Sequence, residues 1–160
     1  MNVTLRPITD EDEPFLRRVY ASTREAELAP LGWPPAQQDA FLRMQFDAQR
    51  RHYAAAYDGA AFSIILRDGR PAGRLYVDRR EREIRVVDIA LLPEHRAAGI
   101  GGALLRQLFD EAARGRKTVS IHVERQNAAR RLYQRLGFVE VEGAGDGVYA
   151  LMEWRPEATR

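Results

Sequence analysis

Leu91-Leu92-Pro93-Glu94-His95-Arg96-Ala97-Ala98-Gly99-Ile100-Gly101-Gly102 is the stretch that decides how this chain is read. It passes from the end of a strand through a turn into the start of a helix. Gly99 and Gly101 permit close backbone approach and unusual dihedral angles. The first amides of a helix have no partner inside it, and the aligned peptide dipoles favour negative charge at that end. Arg96 adds a charged donor at the same opening. Together these features suit a pyrophosphate. A Walker A loop would end in Gly-Lys-Ser or Gly-Lys-Thr, which is absent. A dinucleotide fingerprint would follow an early strand, whereas these glycines come late. Taken without its surroundings, a glycine pair after a strand reads more readily as a tight turn.

The surroundings extend the pattern in both directions. Ile84 to Leu92 is almost continuously apolar, broken only by Arg85 and Asp88, and reads as the central strand of a covered sheet ended by Pro93. Ile100 to Arg114 reads as a helix with Leu104, Leu105 and Leu108 inward and Gly115 as its stop. Thr118 to Glu124 returns as a strand. Asn127 can cap a helix over Ala128 to Leu136, closed by Gly137. Phe138 to Glu142 and Val148 to Trp154 form a terminal pair of strands.

Upstream, residues 2–7 suit a first strand, and Thr9 before Asp10, Glu11 and Asp12 suits a helix N-cap. Phe15, Leu16, Val19 and Tyr20 then line one helix face, with a break at Pro30 and Gly32. Pro34 and Pro35 open a second helix, roughly Ala36 to His52, carrying Phe41, Leu42, Met44, Phe46 and Ala48. Ala61 to Arg67, the Asp68-Gly69 turn and Pro71 to Asp78 complete a hairpin. The expectation is one mixed α/β domain over residues 1–155, with a flexible tail over 156–160.

Composition narrows the function. With 45% hydrophobic and 30% charged residues, the chain has the balance of a folded globular protein. No segment approaches the apolar run of a membrane span, and the first residues read as a strand rather than an export signal, so a cytoplasmic location is expected. With no cysteine, thiolate metal sites and catalysis through an enzyme thiol are excluded. His52, His95 and His122 show no ligand spacing, and no metal is expected. The net charge of +2 with a pI of 9.2 favours anions weakly, and no nucleic-acid module is recognisable.

Arg96-x-x-Gly99-x-Gly101-Gly102 resembles the acetyl-coenzyme A signature of the GCN5-related N-acetyltransferases. Asn127-Ala128-Ala129-Arg130-Arg131-Leu132-Tyr133-Gln134-Arg135-Leu136-Gly137-Phe138 resembles that family's late helix motif, and Leu5-Arg6-Pro7-Ile8-Thr9-x-Glu11-Asp12 its opening. Order and spacing match over nearly the whole chain. The resemblance implies a mostly antiparallel sheet with a split beside its central strand, flanked by helices. Ile89 to Leu92 would form the wall at that split, with backbone groups of Leu91 and Leu92 meeting the pantetheine arm. Amides from Arg96, Ala97, Ala98, Gly99, Ile100 and Gly101 would hold the pyrophosphate, while Gly102 and Ala103 allow close approach. Asn127 would bind near the acyl end and Arg130 would reach a cofactor phosphate.

In the resembled family the amine attacks the thioester directly, which needs both substrates positioned and charge managed at oxygen and sulfur. Tyr133 matches the tyrosine that donates a proton to the departing thiolate; helix periodicity alone favours a packing residue. Asp88, in the apolar central strand, is the acidic candidate for the base. At Arg85 the acid that some lysine-acetylating relatives carry is missing. Gln45 and Gln49, with His52 or Tyr53 nearby, mark a specificity region or a solvated helix edge. Trp33 covers the acceptor side or anchors its loop. The expected reaction is acetyl transfer to a primary amine of a small or amino-acid-like molecule. A peptide N-terminus as acceptor, or a noncatalytic coenzyme A sensor, are the alternatives. Val148 to Trp154 either pairs two copies into a homodimer or completes the monomer core.

Overall fold

The structure is a computed structural model and describes residues 1–157; the remainder of the tail expected over 156–160 lies outside the described residues. In chain order the elements are β1 (Val3–Pro7), a 3₁₀ turn (Asp10–Asp12), α1 (Glu13–Leu28), α2 (Pro35–Ala56), β2 (Ala61–Arg67), β3 (Arg70–Arg79), β4 (Glu83–Leu91), α3 (Ile100–Gly115), β5 (Thr118–Glu124), α4 (Ala129–Leu136), β6 (Val139–Glu140) and β7 (Tyr149–Trp154). The strands form one mixed sheet in the order β1-β2-β3-β4-β5-β7-β6. β4 and β5 are parallel, registered from Glu83 opposite Thr118 to Val86 opposite Ile121, and β4 continues past this ladder to Leu91. The pairs β1–β2, β5–β7 and β6–β7 are antiparallel.

The chain falls into two compact units. The first comprises Met1–Leu75 and Ile89–Arg96, the second Tyr76–Asp88 and the chain from Ala97 onward. In the first, Leu16 and Tyr20 of α1, Phe46 of α2 and Ile64 of β2 form a buried cluster, with Ile8, Phe15, Leu42 and Leu66 packed around it. Tyr20 meets Phe46 edge-on at 6.1 Å between centroids, the geometry aromatic quadrupoles favour. At the entrance to α1, both guanidinium arms of Arg6 donate to Asp12 at 2.8 Å, and Asp12 also accepts the Thr9 amide. The expected cap is thus a 3₁₀ turn with Asp12 as its hub, and α1 proper starts at Glu13.

α2 runs to Ala56, beyond the expected His52, since no glycine or proline interrupts it there. Only Phe46 of its apolar residues is fully buried. Met44 is exposed at 60% and Ala48 is also exposed, because this long helix presents one narrow stripe to the core.

In the second unit α3 packs on β5, burying Leu104, Leu105, Leu108 and Ala112 together with Val119, Ile121 and Val123. Trp154 stacks on Phe109 at 4.3 Å, Phe109 lies 5.5 Å from Phe138, and Phe138 meets Tyr133 edge-on at 5.7 Å. β6 is only two residues long, shorter than the expected Phe138 to Glu142. Past it the chain turns back, and Asp146 accepts the amides of Val148 and Tyr149 through one oxygen.

Candidate active site

Leu91, Leu92 and Arg96 lie in the first unit. Leu91 is half-buried at the end of β4 and Leu92 is buried. The Leu92 amide donates to the Ala72 carbonyl at 2.9 Å, and its carbonyl accepts from the His95 amide. Arg96 is exposed. Its Nε donates to the Leu91 carbonyl at 3.0 Å and its Nη2 to Ser22 Oγ at 3.3 Å. In this structure Arg96 therefore braces the strand end against α1. Gly73 of β3 explains how close the strands come here. A Cβ on it would stand 2.1 Å from the Ala90 carbonyl oxygen and 3.0 Å from Leu91 Cα, so no larger residue fits without movement.

The remaining site residues belong to the second unit. Ala97 has φ +59° and Gly99 φ +82°, so two left-handed residues shape the approach to α3. Glycine adopts that region freely, whereas alanine is strained there. The first turn-closing bond of α3 runs from Ala103 N to Gly99 O at 3.0 Å. The amides of Ile100, Gly101 and Gly102 consequently precede the helix's own ladder. A Cβ at Gly99 would meet nothing within 4 Å, so the loop there is open. These features fit a pyrophosphate: amides at a helix start, open space beside Gly99, and a dipole of the right sign.

Asn127 is exposed, and its Oδ1 accepts the Ala129 amide at 2.9 Å in a local turn; α4 starts at Ala129, one residue later than expected, and its N-cap is Ala128 rather than Asn127. Arg130 is half-buried; its Nη1 donates to the Arg125 carbonyl at 3.1 Å, while its Nε is buried without a hydrogen-bond partner among the described residues. Tyr133 is 5% exposed. Burial, and secondly the charge of Asp88, push its phenol up to about 12. Tyr133 is held in place by the Phe138 contact and by the Gly137 left-handed stop, which donates to Gln134 and lets the Phe138 amide donate to the Tyr133 carbonyl. Packing and chemistry therefore coexist at this residue.

Arg85 carries no acid but is engaged: Nε donates to Ser120 Oγ at 2.7 Å, and Ser120, wholly buried, donates to Glu83 at 2.8 Å. His122 stands 3.4 Å from Arg85, and desolvation followed by the Arg85 charge lowers its pKa. Among the described residues no cluster of histidine and acidic side chains suits a metal ion.

Gln45 and Gln49 of α2 are not a solvated edge. Gln45 Oε1 accepts from Tyr20 Oη at 3.2 Å, and Gln49 Oε1 from Arg74 Nη2 at 3.0 Å. Trp33 sits edge-on to Phe41 at 5.1 Å, anchoring its loop to α2. Two residues escaped sequence reasoning, Gly73 and Arg74. The signals were there: a glycine inside a strand marks close backbone approach, and a charge within the apolar Ala72–Val77 run marks a buried polar contact.

Comparison with known proteins now bears on these features. A model of the acetyltransferase (GNAT) domain matches residues 50–140, more than half of the chain and both motif regions. The chain belongs to the GNAT acetyltransferase family. A mycothiol acetyltransferase of Nocardiopsis dassonvillei is 26% identical over 152 residues, covering 88% of this GNAT chain and 44% of that protein. A [ribosomal protein bS18]-alanine N-acetyltransferase of Haemophilus influenzae is 38% identical over 61 residues, 38% of this chain and 42% of that one. The chain thus spans less than half the length of either curated relative within the matched regions. A crystal structure of PaiA N-acetyltransferase from Thermoplasma acidophilum, in complex with coenzyme A, superposes with a TM-score of 0.72 at 18% identity, covering 98% of this chain and all of that one. That likeness establishes the GNAT fold. No helix among the described residues is long and apolar enough to cross a membrane.

Proposed function

We propose that residues 1–155 act as one acetyltransferase domain that transfers acetyl from acetyl-coenzyme A directly to the primary amine of a small, amino-acid-like molecule. The observation that carries this reading is Tyr133, a phenol buried against Phe138 on α4, within the matched GNAT domain. Amides of Ala97 to Gly101 at the start of α3 hold the pyrophosphate, with Arg96 shaping their approach. Gly102 and Ala103 let the diphosphate come close, Leu91 and Leu92 line the pantetheine arm, Asn127 holds the acyl end and Arg130 a phosphate.

In the reaction the amine nitrogen bonds to the thioester carbonyl carbon, and the carbon–sulfur bond breaks. The Leu91 amide polarises the carbonyl oxygen. Asp88 takes the proton released by the nitrogen, and Tyr133 gives its proton to the leaving sulfur, regaining one from solvent. The two proton transfers help each other. The charge of Asp88 raises the Tyr133 pKa, so neutralising Asp88 makes the phenol a stronger acid when the thiolate needs it.

The longer of the two curated alignments, with a protein named for the small molecule mycothiol, supports a small acceptor. The shorter one favours a peptide N-terminus as the second reading. A mass-spectrometric screen of purified protein with acetyl-coenzyme A, pooled amines and N-terminal peptides tests both. Acetylated small amines are expected. Exclusive acetylation of peptides would replace the acceptor class. Binding of acetyl-coenzyme A with no adduct in either pool would favour a sensor.

A further inference from the structure

His122 stands where two strands of the second unit part. β4 and β5 are paired as far as Val86 opposite Ile121, while β5 runs on to Glu124, paired on its other side with β7. One residue beyond the β4–β5 ladder stand Val87 on β4 and His122 on β5, and Asp88 follows on β4. Side chains alternate across a strand. Val119, Ile121 and Val123 are buried on the side where α3 packs on β5, so Ser120 and His122 belong to the opposite face. There His122 is exposed. An amine that reaches Asp88 by way of this gap carries its neighbouring atoms past His122.

The imidazole is held in one tautomer. Arg85 Nη1 lies 3.4 Å from His122 Nδ1, and a guanidinium can only donate. Nδ1 is therefore the accepting nitrogen, and the ring proton sits on Nε2. Arg85 is fixed in turn, its Nε donating to buried Ser120, which donates to Glu83. On β7 Leu151 faces His122 directly, with Glu153 and Tyr149 two residues to either side, and Ser120 and Glu124 flank it on β5. Around the ring, Arg85 and Arg80 oppose Glu83 and Asp146 in charge; desolvation, followed by Arg85, lowers its pKa, so it is neutral at neutral pH. A neutral donor among opposed charges suits an uncharged oxygen better than a carboxylate. We propose that His122 donates from Nε2 to a carbonyl oxygen carried by the acceptor beside its amine, and that Arg85 is the positioning residue that sets the imidazole. This inference rests on the acetyl-transfer reading and narrows it: the acceptor is an α-amino amide, and an amine of similar size without the carbonyl is a poor ligand.

Binding tests it. Protein saturated with coenzyme A is titrated at neutral pH with pooled L-amino-acid amides and, separately, with alkylamines of matched side chain that lack the carbonyl. Ligand-observed NMR reports occupancy. From wild type to His122→Leu the amides are expected to lose roughly fivefold in affinity, the worth of one neutral hydrogen bond. The alkylamines should change little, and comparing each ligand with itself cancels differences in amine basicity. His122→Gln, whose side-chain amide also donates, should keep most of the amide affinity. Nitrogen NMR shifts of the imidazole should report the Nε2–H tautomer in the wild type. Arg85→Met should raise the share of Nδ1–H and weaken the amides alone. Unchanged amide affinity in folded His122→Leu, its loss in folded His122→Gln, or an Nδ1–H ring in the wild type overturns the proposal. Peptides beginning with the same residues carry the same carbonyl, and their affinity relative to the amides identifies the natural source. Acetylation measured on the same samples separates the two readings. Amide affinity that depends on His122 without turnover sinks acetyl transfer and leaves the His122 assignment standing; turnover indifferent to His122 does the reverse.

Discussion

Burial pushes the Tyr133 phenol up to about 12, so it carries its proton at neutral pH, the form a general acid needs. Tyr133→Phe should lower kcat roughly a hundredfold, within the usual range for losing a general acid. The KM for acetyl-coenzyme A should stay within about threefold, because the ring still packs on Phe138. Steady-state kinetics on any accepted amine decides this, and an unchanged kcat removes Tyr133 from the chemistry. The wild-type pH–rate profile should show no fall assignable to phenol ionisation below about pH 11. Asp12 offers a second test. Hydrogen bonding to Arg6 lowers its carboxyl from 3.8 to about 2, against the opposing effect of desolvation. The folded chain therefore binds this proton less readily than the unfolded chain. Its stabilisation is complete above about pH 4 and disappears as pH falls towards 2. Urea midpoints of wild type and Asp12→Asn should accordingly differ at pH 6 and converge near pH 2.

Among the elements, the β3–β4 approach is the most demanding. Gly73→Ala places a methyl group 2.1 Å from the Ala90 oxygen, so backbone must move. A loss of about 1–3 kcal/mol is expected, the range for overpacking a tight interior. Gly59→Ala, whose Cβ would meet nothing within 4 Å and whose φ is not positive, should change stability little. Thermal unfolding of the pair checks the contrast; similar melting points would mean that β4 yields easily. The same region shows what the sequence made legible. The apolar run Ile84 to Leu92, the glycine loop and the late helix were readable because periodicity and glycine placement are local. Orientation was harder. Arg74 stands inside the apolar run Ala72–Val77, which marks it as buried without saying what it meets; Gln49 of α2 is a partner that only the fold brings to it. Likewise Ser120 sits in a strand read correctly from Thr118 to Glu124, but its burial depends on Arg85 and Glu83 from another strand. For the candidate site, the local motifs placed the residues along the chain, while the partners that orient Arg74, Gln49 and Arg96 come from positions far away in sequence.

For the molecule as a whole, the weak net charge of +2 sets an expectation about anions. Acetyl-coenzyme A at a hundred times its dissociation constant should stabilise the fold by about 2.7 kcal/mol through linkage alone. A single-stranded oligonucleotide should give no comparable rise in melting temperature at physiological salt, since scattered surface arginines are screened there. Equal shifts from both, at 0.15 M salt, would count against a dedicated coenzyme A site. The aromatic packing also has an optical consequence. The chain has two tryptophans, and each compact unit holds one: Trp33 against Phe41, and Trp154 stacked on Phe109 in the aromatic series that ends at Tyr133. Trp33→Phe and Trp154→Phe would each leave a single emitter, so quenching or a spectral shift on adding ligand would report which unit responds, without any attached dye.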